Sequence, residues 1–155
     1  MSPTPFSPDR QASLGYQVNR LARLLAGSLR ARIEPHGVVP GQFAQLLALY
    51  DEDGITQNEL CERVQVDQST MAHTLKRMER DGLIERAPDP ADRRRAIVTL
   101  TPHAWSLRPA LTAAAAEVNA VATRGLDAAE ADAVMSLVAR LIDNLVGDAP
   151  LAAVE

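Results

Sequence analysis

The stretch DQSTMAHTLKRMERDGLIERAPDPADRRRAIVTLT, residues 67–101, decides how this chain folds. Asp67 is a good helix N-cap, and Gly82 supplies a stop. Between them Met71, Leu75 and Met78 recur at i, i+4 and i+7 and form one apolar helical stripe. Thr70, His73, Thr74 and Arg77 recur at i, i+3, i+4 and i+7, and are read as a polar stripe facing away from the apolar one. Hydroxyls, an imidazole and a guanidinium are groups that reach base edges and phosphates. A solvated helix face is the plainer reading of the same pattern. Ile84-Glu-Arg-Ala87 then runs into Pro88-Asp-Pro-Ala-Asp92, a dense turn signal. The residues from Arg93 to Leu100, three arginines and then a β-branched run, read as a strand. Two short strands around a polar tip make a β-wing. Adjacent arginines also suit a guarded sheet edge, but their place after a helix pair favours contact with DNA.

Upstream, Thr56-Gln-Asn-Glu59 matches a capping box, in which Thr56 accepts from the fourth residue and Glu59 reaches back. It opens a short helix with Leu60, Cys61 and Val64 inward. About three residues, Gln65 to Asp67, join it to the next helix, which is helix-turn-helix spacing. Before that, Pro40 fits the first turn of a helix carrying Phe43, Leu46, Leu47 and Tyr50 inward, with Gly54 at its end. The first helix carries Leu14, Val18, Leu21 and Leu25 and runs to about Ile33, where Pro35 and Gly37 stop it.

Downstream, Thr101-Pro102 supplies a cap and a first-turn proline for a long helix with a Leu107, Leu111, Ala114, Val118 and Val121 seam and an expected kink at Pro109. Asp127-Ala-Ala-Glu130 starts the last helix, with Val134, Leu137, Val138, Leu141 and Leu145 inward. Together with the first helix these present more apolar surface than a small winged domain covers. A second copy of the chain is the simplest cover. The expected architecture is mainly α with a small β-wing, a winged helix-turn-helix. Residues 1–10 form a flexible tail, 11–35 and 102–146 dimerisation helices, and 40–101 the DNA-binding region.

Composition agrees with one helical domain: 155 residues, 46% apolar but only 3% aromatic, so the core is aliphatic. No apolar run approaches the roughly 20 residues needed to span a bilayer, and no signal pattern opens the chain. The chain is expected to be soluble and cytoplasmic. Its net charge of −4 looks wrong for a nucleic-acid binder until it is located. Residues 56–101 hold eight basic and eight acidic side chains, whereas 102–155 hold three and seven, so the acidity sits away from the reading surface.

An enzyme reading finds no constellation to stand on. His36, His73 and His103 lack metal-ligand spacing, and there is no glycine-rich phosphate loop or nucleophile elbow, so no cofactor or metal is expected. Cys61, the sole cysteine, reads as a small buried hydrophobe, with thiol-based redox sensing as the alternative. The rival from another class is a helical protein-interaction module, such as an anti-activator, that never touches DNA. The acidic balance favours it and the arginine wing opposes it.

These residues resemble the multiple-antibiotic-resistance regulator (MarR) family of transcription factors, over about Leu14 to Leu145. The most specific match is Asp92-Arg-Arg-Arg-Ala-Ile-Val-Thr-Leu-Thr101, which fits the family's Asp-x-Arg-x-x-x-apolar-x-Leu-Thr. Gln57 to Val64 resembles the first helix of the family's pair, and Gln68-Ser69-Thr70 through Ile84 its recognition helix and wing entry. The resemblance implies an obligate homodimer on a pseudo-palindromic operator in double-stranded DNA, recognition helices in major grooves and wing arginines in flanking minor grooves. On that pattern Gln68, Ser69, Thr70, His73, Thr74 and Arg77 contact DNA, as do Arg93, Arg94 and Arg95. Arg94 matches the wing arginine and Asp92 the acid that orients it. The resemblance also implies a repressor released by a small aromatic or phenolic effector, with His36 near the ligand pocket, or by cysteine oxidation. The family's peroxide sensors carry their cysteine in the first helix, where this chain has none. Two positions depart from the pattern: Ala104 stands where glycine is frequent, and Val39 where a Ser or Thr cap is common.

Overall fold

The capped, amphipathic segment at the centre of the sequence folds as a helix over Gln68–Arg80, α4, in a computed structural model that describes residues 9–148. Asp67 caps it through Oδ1, which accepts the Thr70 N–H at 2.8 Å. Gly82, at φ +73°, lets the chain reverse so that the Leu83 N–H reaches the Met78 carbonyl at 2.9 Å. Met71, Leu75 and Met78 are fully buried. They meet Leu46 and Leu49 of α2 (Pro40–Asp51), Leu60 of α3 (Gln57–Val64), and Leu111 of α5 (Pro102–Ala122) in one cluster. α1 covers Leu14–Ile33 and α6 Ala128–Asp148.

Three strands complete the fold: β1 Ile55–Thr56, β2 Ile84–Pro88 and β3 Ala96–Leu100, antiparallel in the order β1-β3-β2. Ile84 pairs Leu100 and Pro88 pairs Ala96, which leaves residues 89–95 as the wing tip. The strand expected to begin at Arg93 therefore begins at Ala96, and the three arginines lie in the tip turn. The reason is local. Asp92 Oδ1 accepts the Arg94 N–H at 3.1 Å, and the Arg95 N–H bonds the Asp92 carbonyl at 2.9 Å, so the backbone is curled rather than extended. β1 is an addition to the sequence reading, tied by Ile55 to Val98 and Thr56 to Ile97.

Other expectations are adjusted by the packing. Thr56 Oγ1 accepts the Glu59 N–H at 3.2 Å, but among the described residues no reciprocal bond from Glu59 is made. Val39 has no acceptor for a cap, and Gln42 takes part of that role, its Oε1 accepting the Val39 N–H at 3.3 Å. Pro109 lies inside a helix that runs on past it to Ala122. Ala104 is fully buried, and its carbonyl accepts the Tyr50 hydroxyl at 2.6 Å. Of the expected tail, residues 1–8 lie outside the described residues, and Arg10–Ala12 forms a short 3-10 turn.

The chain divides into two units, Met1–Val118 and Asn119–Glu155. Within the first, Arg32 of α1 pairs with Glu117 of α5 at 3.1 Å, and α1 leaves Leu14, Val18, Leu21 and Leu24 exposed. In the second, Asp127 and Glu130 make a full reciprocal cap on α6, at 2.8 and 2.9 Å. The expected inward residues of α6 (Val134, Leu137, Val138, Leu141 and Leu145) are all exposed in the single chain, as is Val121 at the end of the α5 seam. Among the described residues no helix is long and apolar enough to cross a membrane.

Candidate nucleic-acid interface

α3 and α4 are joined by a turn whose corner is Gln65, a non-glycine residue at φ +58°. Its left-handed backbone lets the Val66 N–H bond the Cys61 carbonyl at 3.2 Å, and its side-chain amide donates to the Glu62 carbonyl at 2.6 Å. The turn sets the two helix N-termini side by side, where Gln68 Nε2 donates to Asn58 Oδ1 at 2.6 Å.

At about 100° per residue, the side of α4 away from its buried stripe is centred on Ser69, His73, Lys76 and Arg80, and all four are exposed. The stripe expected to lie opposite, Thr70, His73, Thr74 and Arg77, instead runs down one flank, with Thr74 half-buried. Lys76 and Arg80 were thus missed by a spacing argument that followed only i, i+3, i+4 and i+7. Thr70 is partly committed, since its hydroxyl donates to Asp67 Oδ2 at 2.9 Å. Its backbone N–H and then its hydroxyl hold the Asp67 carboxyl below the usual carboxylate range.

The wing tip is built around Asp92. Its Oδ1 accepts from Arg94 Nε at 3.2 Å, and its Oδ2 lies 3.9 Å from Arg95 Nε. The bonds from the Arg94 side chain and backbone, with Arg95 adding its charge, keep this carboxyl below the usual range. The Arg94 side chain is nonetheless 92% exposed, a cation held in place yet offered to solvent. Arg93 makes no ion pair among the described residues. Behind the tip, Arg86 of β2 bonds Glu79 of α4 and reaches Gln57 of α3 at 3.4 Å, tying the wing to both helices.

These elements enclose an open cleft of about 250 Å³ lined by Thr56, Gln57, Asn58, Gln68, Arg94, Arg95 and Ala96. It unites Gln68 with two of the wing arginines. Asn58 and Gln57, which sequence reasoning did not single out, supply amides at the same place. Donor amides beside guanidinium groups suit phosphate oxygens.

Two residues weighed for sensing stand apart. Cys61 is buried, and burial, followed by the nearby Asp67 carboxylate, pushes its thiol up, which disfavours the reactive thiolate. His36 is exposed on a short 3-10 turn, Glu34–His36, just after α1.

Comparison with known proteins gives a consistent picture. A model of the MarR family matches residues 36–95. The HTH-type transcriptional repressor NicR of Pseudomonas putida is 34% identical over 103 residues, 66% of this chain. The match spans just under two thirds of NicR, 65% of its length. The PcaV transcriptional regulator of Streptomyces coelicolor, solved with its natural ligand, is 29% identical with a TM-score of 0.81, over 89% of this chain and 97% of that one. BpsR of Bordetella bronchiseptica, whose DNA binding is regulated by 6-hydroxynicotinic acid, is 25% identical with a TM-score of 0.80, over 90% and 99%.

Proposed function

This chain belongs to the MarR family of transcriptional regulators, and we propose that it is a ligand-responsive repressor that binds a pseudo-palindromic operator as a homodimer. The observation that carries the reading is the coplacement of α4, with its exposed Ser69, His73, Lys76 and Arg80, and a wing tip whose Arg94 is held by Asp92 yet exposed. A rigid helix with cationic and hydroxyl groups suits a major groove. An arginine preordered by a charge-assisted bond suits the narrow, strongly negative minor groove beside it.

On this reading Gln68, Ser69, His73, Lys76 and Arg80 face the major groove from within residues 40–101, and Thr70, Thr74 and Arg77 line its edge from the flank of α4. Arg93 and Arg95 touch phosphates near the groove that takes Arg94. The segments 11–35 and 102–146 hold the dimer, which the exposed leucines and valines of α1 and of α6 support. The effector is a small aromatic or phenolic compound, by analogy with the 6-hydroxynicotinic acid that regulates BpsR, and His36 is a candidate contact. Repression follows the analogy with NicR. Gel-shift against DNA flanking the chain's own coding region tests the proposal, with a discrete shifted band expected and no shift at micromolar protein counting against it.

A further inference from the structure

We propose that Asp81 is a positioning residue for sequence reading, whose carboxylate, anchored by the buried amide of Gln42, fixes Arg77 and Arg80 in the orientation from which they meet DNA. The inference rests on the DNA-binding reading and adds a residue to it. Asp81 caps the C-terminal end of α4. A carboxylate there faces the negative end of the helix dipole, which is unfavourable, so its presence needs another account.

Its contacts supply one. Gln42 Nε2 donates to Asp81 Oδ2 at 2.8 Å, Arg77 Nε lies 3.8 Å from the same oxygen, and Arg80 Nε lies 3.6 Å from Oδ1. Gln42 is only 1% exposed. Its Oε1 accepts the Val39 N–H, so the amide has one orientation, and its N–H group points at the carboxylate. The carboxylate is therefore located from the start of α2 and not by the recognition helix alone. The Arg77 and Arg80 side chains are 50% and 71% exposed. Surface pairs of that kind add little to stability, and what they supply is direction. An arginine whose guanidinium is already directed loses less freedom when it bonds a base edge.

The test is Asp81→Asn in the full-length chain, which keeps the size, an acceptor for Gln42 and the helix stop, and removes the charge. Dissociation constants are measured by fluorescence anisotropy on a duplex enriched from a random-sequence pool and on its scrambled counterpart. The operator-to-scrambled ratio should fall roughly tenfold, about one base contact's discrimination, with melting temperature unchanged and scrambled binding slightly tighter. Asp81→Glu should restore part of the ratio. Glu85→Gln, the same charge change on the exposed face of β2, should leave the ratio unaltered. If Asp81→Asn tightens both duplexes equally, as a bulk charge would, the proposal is overturned. A fallen ratio accompanied by reduced helix content would overturn it too, by placing the effect on folding. If the unaltered chain enriches no duplex, the DNA reading itself fails, a result distinct from an unchanged ratio.

Discussion

Arg94→Ala is the perturbation whose outcome the wing geometry fixes most closely. The side chain is 92% exposed and bonds only Asp92 among the described residues. Truncation should therefore leave folding stability within about 0.5 kcal/mol. In binding by the proposed dimer, each wing would give up a groove interaction worth about 1–1.5 kcal/mol, roughly 30- to 150-fold in Kd for the pair. Arg93 has no ion pair to orient it, so Arg93→Ala should weaken all duplexes alike and flatten the log–log salt dependence by about 0.9 for each phosphate it no longer neutralises. Asp92→Ala separates two accounts by sign. Simple electrostatics predicts tighter binding when an acid leaves a DNA-facing surface. An orienting role predicts weaker binding, because ordering the freed arginine then costs roughly 0.5–1.5 kcal/mol in each wing. The assay is anisotropy titration of the three variants and the parent at two salt concentrations, with circular dichroism confirming helix content. Tighter binding by Asp92→Ala, with Arg94→Ala matching the parent, would refute the reasoning.

Other outcomes follow from the same structure. Leu75→Ala empties a fully buried site on the inner face of α4 and should destabilise by about 2–5 kcal/mol, read as a lower denaturant midpoint at constant m-value. Gln65→Gly relieves a left-handed backbone and, because the amide bond to Glu62 that it removes is exposed to solvent, should be neutral to stabilising by up to about 1 kcal/mol in denaturant unfolding; clear destabilisation would refute this and show that the bond sets the turn. Since burial raises the Cys61 thiol, the native protein at pH 8 should react with a thiol reagent far more slowly than a cysteine peptide, and Cys61→Ser should respond to peroxide as the parent does. Peroxide-driven release of DNA that vanishes in Cys61→Ser would make thiol sensing the mechanism.

The helices were legible because each carries a periodic apolar stripe and a cap within a few residues, as with Asp67 before α4 and Asp127 before α6. The wing was legible as a hairpin but not in its register. Whether Arg93, Arg94 and Arg95 extend a strand or curl in a turn depends on Asp92 Oδ1 capturing the Arg94 N–H, a bond the β-branched run after it does not reveal. Two-residue β1 had no pattern of its own and exists through its pairing with Ile97 and Val98. On α4, a stripe chosen by residue type passed over Lys76 and Arg80, whereas burial of Met71, Leu75 and Met78 locates the outward side directly. Gln42 was hidden for a different reason: its partner Asp81 lies 39 residues away, and nothing local marks the pair. For the leucines and valines of α6 the period identifies an apolar face without saying which molecule covers it, and in the single chain that face is exposed.

The central claim, two symmetric reading heads on one duplex, is tested most directly by hydroxyl-radical footprinting of the full-length chain on a bound operator fragment. The account predicts two protected blocks related by a two-fold axis, about one helical turn apart centre to centre. It also predicts outer minor-groove protection that disappears in Arg94→Ala while the inner protection remains. A single asymmetric block, or outer protection unaffected by Arg94→Ala, would contradict it.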